Sequence, residues 1–271
     1  MGVVNVTPDS FSDGGAFADS DAAVAHALEL LREGAGIVDI GGESTRPGAR
    51  VREQAAVSEE EEQRRILPVI NGVLRERPDS VVSVDTYRAS TARKAIEAGA
   101  EIVNDVSGGT WDDGMFAALA ELRCGAVLMH MRGRPDEWRS LPPLDDPLGT
   151  VKRDLANLVR AADRSGVERH HIALDPGFGF GKRFDENYPL LARLGELSSL
   201  GFPLLAGTSR KGFIGHTLRC GDELRPASGR LFGTLATITA AILQGAHIVR
   251  VHDAAAARDA ALVADAILKA R

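Results

Sequence analysis

Asp175 stands where a short apolar run, Ile172-Ala173-Leu174, meets Pro176-Gly177, a pair that stops regular structure. An acid so placed ends a strand and points at whatever the following loop surrounds. The arrangement recurs. Ser83-Val84-Asp85, Ile102-Val103-Asn104 and Val249-Arg250-Val251-His252 are also apolar runs that close on a polar, hydrogen-bonding residue. Arg250 and His252, two apart on a strand, point the same way. The loop after Asp175, Gly177 through Lys182, has the spacing of neither a Walker A loop nor a dinucleotide fingerprint. Polar groups gathered at one end of many strands point to a barrel with its site at the carboxyl-terminal face.

The elements that must hold these residues alternate. The spacing predicts strands at 3–5, 37–40, 81–85, 102–105, 126–129, 172–175, 203–206 and 248–251. It predicts helices at 21–33, with Ser20 or Asp21 as N-cap, and at 59–77, 89–97, 114–122, 151–165, 187–197, 231–244 and 253–269. Eight strand–helix units of about 34 residues favour a single (β/α)8 TIM barrel over an open doubly wound sheet. No linker or composition shift divides residues 1–271, so one domain is expected. The proline-rich stretch 133–149, with Trp138, reads as a long loop, not a boundary.

The 271 residues suffice for one such barrel. Aromatics are only 5%, so the core must be mostly Ala, Val, Ile and Leu, which suits helices covering a parallel sheet. A net charge of −6 argues against a general nucleic-acid binder. There is no apolar run of membrane-spanning length and no signal-peptide pattern at the start. Two cysteines without a CxxC pattern fit a reducing compartment, and a cytoplasmic location is expected.

Longer stretches are more specific. Met1 through Gly15 contains Asn5-Val6-Thr7-Pro8-Asp9-Ser10-Phe11-Ser12-Asp13-Gly14-Gly15, and Val38 through Gly48 reads Val-Asp-Ile-Gly-Gly-Glu-Ser-Thr-Arg-Pro-Gly. With Ser83-Val84-Asp85-Thr86, Val103-Asn104-Asp105, Leu174 through Lys182, Thr208-Ser209-Arg210-Lys211 and Arg250-Val251-His252-Asp253, they resemble, full length and in order, the signatures of the dihydropteroate synthases. The resemblance implies a barrel enzyme using Mg2+ and targeted by sulfonamides. Its reaction joins 4-aminobenzoate to 6-hydroxymethyl-7,8-dihydropterin pyrophosphate and releases pyrophosphate.

The residues can support that chemistry. A pterin edge carries two N–H donors beside a carbonyl acceptor, which a buried carboxylate and a cation match through strong charge-assisted bonds. Asp175 and Lys211 are the expected pair, with Asp85 and Asn104 across the same mouth. Arg250, His252, Thr45 and Arg46 are expected on the pyrophosphate, and Asn5 as the one protein ligand of Mg2+. Asp9 or Asp39 could assist the metal. Asp85, Asp175, Lys211 and Arg250 would stabilise charge as the C–O bond breaks. By resemblance Pro47, Phe180, Ser209 and Lys211 wall the aminobenzoate, and Phe11 and Asp13 belong to a first loop that closes with the second. His130 reads as equally suited to packing.

The chain begins inside the first signature, so a thin barrel floor is expected. A homodimer through barrel helices, 231–244 and the last among them, is implied by the resemblance. Two other readings use similar residues: a methyltetrahydrofolate methyltransferase-like barrel, which would not need the first two loops, and a catalytically silent pterin binder, which would have lost a loop or anion residue.

Overall fold

The computed structural model describes residues 1–6, 15–43 and 57–270. Phe11, Asp13, Thr45, Arg46 and Pro47 lie outside the described residues, as does Asp9. Strands β1 (Gly2–Asn5), β2 (Ile37–Gly41), β3 (Val81–Asp85), β4 (Ile102–Asp105), β5 (Gly125–Met129) and β6 (Ile172–Asp175) pair in parallel, each with the next in sequence. β7 (Leu205–Ala206) and β8 (Ile248–Val249) form a second parallel pair. Single bridges join the two ladders: Leu174 N–H donates to the Pro203 carbonyl at 2.9 Å, and Val3 N–H to the Val251 carbonyl at 2.9 Å. The strands therefore run as a ring, the (β/α)8 barrel expected from the alternation.

Helices cover the outside: α1 (Gly15–Arg32), α2 (Glu59–Glu76), α3 (Ala89–Glu97), α4 (Met115–Leu122), α5 (Pro147–Arg164), α6 (Asn187–Ala192), α7 (Gly212–Thr217), α8 (Leu231–Leu243) and α9 (Ala254–Lys269). α2 starts where Ser58 Oγ accepts the Glu61 N–H, and four glutamates fill its first turn against the helix dipole. α5 starts four residues before the expected point. Asp146 accepts the Gly149 N–H and Pro147 needs no donor partner in the first turn. α1 begins at Gly15, which puts Ser20 and Asp21 inside the helix instead of at its cap. The predicted helix 187–197 breaks at Ala192 and continues as a 3-10 turn, Leu194–Leu200. Gly195 there lies close against the Gln244 carbonyl at the end of α8. α7 is too short to show a period in the sequence.

Alternation along the strands divides the core. Val4, Ile40, Val84, Leu128 and Leu174 face outward and pack with Leu30, Ile66, Ile70 and Leu155 of the helices. Inside the barrel, Met1, Val127 and Leu205 are buried, and Ile37, Ile102, Ala173 and Ile248 pack around them while only partly buried. Above this apolar floor, the same inward-facing rows continue as Asp39, Asp85, Asn104, Asp175 and Arg250. Two residues per step along a strand separate a hydrophobic floor from a charged mouth.

Candidate active site

The mouth is lined by Val3, Asn104, Val106, Met129, Asp175, Phe180, Gly207, Ser209, Lys211, Arg250 and His252, contributed by six of the eight strands or the loops that follow them. Asp175 ends β6, and its Oδ1 accepts the Gly177 N–H at 2.7 Å, a turn that aims the carboxylate inward. Burial raises its pKa, opposed by that N–H and by Lys211 and Lys182. The glycine spacing of the loop has a steric cause. Gly177 (φ 66°) and Gly181 (φ 66°) adopt left-handed backbone, and a Cβ on either would overlap the carbonyl oxygens of His130 and Arg132. Lys182 closes the loop, donating to the carbonyls of Gly177 at 2.7 Å and Phe180 at 3.2 Å. Burial lowers its pKa to about 7.

Lys211 caps α7, and its ammonium lies 3.8 Å from the Phe180 ring centroid. Burial lowers its pKa to about 8, with Asp175 pulling it back up. Phe180 is held from behind by Trp138 of the long loop, edge-on at 5.4 Å. Arg210, between Ser209 and Lys211, takes the left-handed conformation (φ 56°). Asp253 holds it through a two-armed pair at 3.1 and 2.5 Å, and its N–H reaches Thr234 Oγ1 at 3.0 Å.

Arg250 is the electrostatic centre. Its Nε donates to Asp39 Oδ2 at 2.6 Å and its terminal nitrogen to Asp85 Oδ2 at 2.7 Å, with Asn104 Nδ2 donating to the same Asp39 oxygen at 2.9 Å. Burial raises the Asp85 pKa; Arg250 opposes the rise and Asp39 adds to it. His252 shares the Arg250 face as its spacing predicts. Burial and the Arg250 charge lower its pKa to about 4, so the ring is neutral at pH 7. Its backbone N–H donates to Ser209 Oγ at 3.2 Å, and the hydroxyl lies 3.0 Å from Nδ1. A serine proton given to Nδ1 leaves the ring proton on Nε2 as a donor.

The structure thus brings Asp85, Asn104, Asp175, Phe180, Ser209, Lys211, Arg250 and His252 together at one end of the barrel. Asn5 ends β1, half-buried, two residues beyond Val3 and so on the inward face. His130 is buried beside the site without lining it: Nε2 lies 3.3 Å from Asp154 and the backbone N–H donates to the Asp175 carbonyl. Lys182, Trp138 and Asp39 support the mouth and were given no firm role by sequence reasoning. An acid in the middle of an apolar strand, as in Val38-Asp39-Ile40, is the signal that could have found the last.

A family model described as "Pterin binding enzyme" matches residues 1–252. A dihydropteroate synthase of Synechocystis is 45% identical over 98% of this chain and 89% of its own length. A Xanthomonas albilineans dihydropteroate synthase solved with 4-aminobenzoic acid superposes with a TM-score of 0.89 at 45% identity, covering 99% of this chain and 92% of that one. A Yersinia pestis counterpart in complex with a sulfonamide drug gives 0.89 at 39%, covering 100% and 94%. The charged mouth, the barrel that carries it and these full-length similarities agree: the chain belongs to the pterin-binding enzyme family, among the dihydropteroate synthases.

Proposed function

We propose that the chain condenses 6-hydroxymethyl-7,8-dihydropterin pyrophosphate with 4-aminobenzoate, giving 7,8-dihydropteroate and pyrophosphate in folate biosynthesis. The observation that carries the reading is the presence of a buried carboxylate, Asp175, and a half-buried ammonium, Lys211, in one mouth. Asp175 accepts from the amine and ring N–H of the pterin and Lys211 donates to its carbonyl. Asn104 and Asp85 meet the remaining edge.

As the methylene C–O bond breaks, its electron pair leaves with pyrophosphate and the pterin ring takes up positive charge. Asp85 and Asp175 stabilise the cation, in a site whose charges are already in place. His252 and Arg250 lie on the leaving-group side, and Thr45 and Arg46 would act on the same pyrophosphate. The aminobenzoate nitrogen then attacks the methylene and loses a proton to the departing pyrophosphate or to water. Phe180, Ser209 and Lys211 form the aminobenzoate wall; Pro47, Phe11 and Asp13 would contribute to the same substrate's site, as the family resemblance implies. The Asn5 carboxamide oxygen suits Mg2+, a hard cation that prefers to keep phosphate oxygens and water in its shell. The ion would neutralise the leaving group, and Asn5 would orient it.

Sulfonamides, which share the aminobenzoate shape, are expected to compete for the same wall. The exposed apolar side chains Phe232 on α8 and Leu262, Val263 and Ile267 on α9 support a homodimer through these helices. The two cysteines are free thiols, in keeping with a cytoplasmic enzyme. Among the described residues no helix is long and apolar enough to cross a membrane.

Pyrophosphate release is the test, with wild type and Asp175→Asn given both substrates and Mg2+. Release that needs all three additions and collapses in the variant supports the reading. Pterin binding without release would favour the silent pterin binder.

A further inference from the structure

We infer that Asp39 is a positioning residue that fixes which way round the Asn104 carboxamide faces the mouth. Asp39 is wholly buried and does not line the mouth, whereas Asn104 does. The two sit on β2 and β4, with β3 between them. Asn104 Nδ2 lies 2.9 Å from Asp39 Oδ2. Distance alone would allow either amide atom at that point, because nitrogen and oxygen are nearly the same size. The chemistry of the partner decides. Asp39 Oδ2 already takes Arg250 Nε at 2.6 Å, and a carboxylate paired with a guanidinium only accepts. An amide oxygen turned towards it would set two acceptors against each other. The amide nitrogen must therefore face Asp39, and Asn104 presents its oxygen and its second Nδ2 proton to the mouth in a fixed order.

Arg250 is locked by the same carboxylate, with Asp85 taking its other arm at 2.7 Å. One buried acid thus sets the donor and acceptor pattern of two lining residues on different strands. The ligand that fits is a fused heterocycle whose edge offers an N–H to the Asn104 oxygen beside the donors taken by Asp175. This assignment rests on reading the mouth as a pterin site.

Binding of 6-hydroxymethylpterin, which carries no phosphate and so leaves the anion contacts out, separates the possibilities. Titration calorimetry on wild type, Asp39→Ala and Asp39→Asn should show the alanine variant weakened about tenfold or more, as for loss of a charged acceptor. The asparagine variant should stay within about threefold, because one oxygen remains to accept from Arg250 and Asn104. An alanine variant that binds like wild type overturns the inference. So does an asparagine variant that falls as far as alanine, since charge and not orientation would then carry the effect. Thermal melts identify a variant that fails to fold, and a measurement on wild type decides in that case. The two Asn104 Nδ2 protons, assigned by their absence in Asn104→Asp, should give separate nuclear magnetic resonance signals with unequal solvent exchange. A pair that exchanges alike overturns the orientation. Wild type that binds no pterin would overturn the pterin reading while the resonance measurement still judges the role of Asp39.

Discussion

Asp175 shows how one residue carries both recognition and risk. Its carboxylate is buried and shared between a loop N–H and the mouth. Asp175→Asn replaces one acceptor oxygen with a donor facing the pterin donors. The expected loss in kcat/KM for the pterin substrate is about 30-fold or more, from a charge-assisted pair worth about 2 kcal/mol. Steady-state kinetics at saturating aminobenzoate checks it. Lys211 makes a pH prediction of opposite signs for activity and stability. Its folded pKa of about 8 lies below the ordinary 10.5, so between these values the unfolded chain binds the proton that the folded chain has released. Its contribution to stability therefore rises with pH through that window. Activity falls there, because the neutral amine no longer offers a cation to the pterin carbonyl. Lys211→Arg should move the alkaline limb of the kcat/KM profile upward, and a limb that stays put would remove Lys211 from that role.

At the scale of elements, the loop after β6 and the long loop 133–149 act as one unit. Trp138 braces Phe180, and Phe180 carries Lys211 on its face. Trp138→Ala removes an edge-on aromatic contact of about 1 kcal/mol. The KM for aminobenzoate should rise several-fold while pterin binding, held by Asp175 on the strand, changes little. Equal effects on both substrates would mean the loops are not separable. Gly177→Ala tests the loop geometry itself. It adds a side chain at a positive φ and drives it into the His130 carbonyl, so a loss of about 2 kcal/mol or more in stability is expected in urea unfolding. Arg210, held left-handed by Asp253, fixes the direction in which Ser209 and Lys211 leave the same turn.

For the whole molecule, Phe232 is 83% exposed and Val263 61% exposed, on helices that pack against each other. Phe232→Glu with Val263→Glu should yield a monomer by light scattering, with the mouth at the strand ends left chemically intact. A wild type that is itself a monomer would end the dimer reading. The ring of strands also explains why residues as far apart as Asp39 and Arg250 can touch at all. The segment after β8 closes onto β1 through Val251, which brings Arg250 within reach of Asp39 on β2, across β1.

Much of this was legible beforehand because it is local. Alternating apolar and polar residues identify a strand, and an acid before Pro-Gly must end one, so the polar strand ends at Asp85, Asn104, Asp175 and Arg250–His252 could be placed from the chain alone. The motifs carried the family, and with it the substrates. What the sequence could not hold is the set of contacts that exist only once eight strands close. The Asp39 carboxylate joins β2, β4 and β8, Trp138 meets Phe180 across two loops, and Lys182 turns back on its own loop carbonyls. Even the burial that lowers the pKa of Lys211 and His252 and raises that of Asp175 belongs to the assembled mouth. Residue type and spacing decided which groups would face inward; the closed barrel decided which of them share a proton, a charge or an oxygen, because those distances are set by strands far apart in the chain.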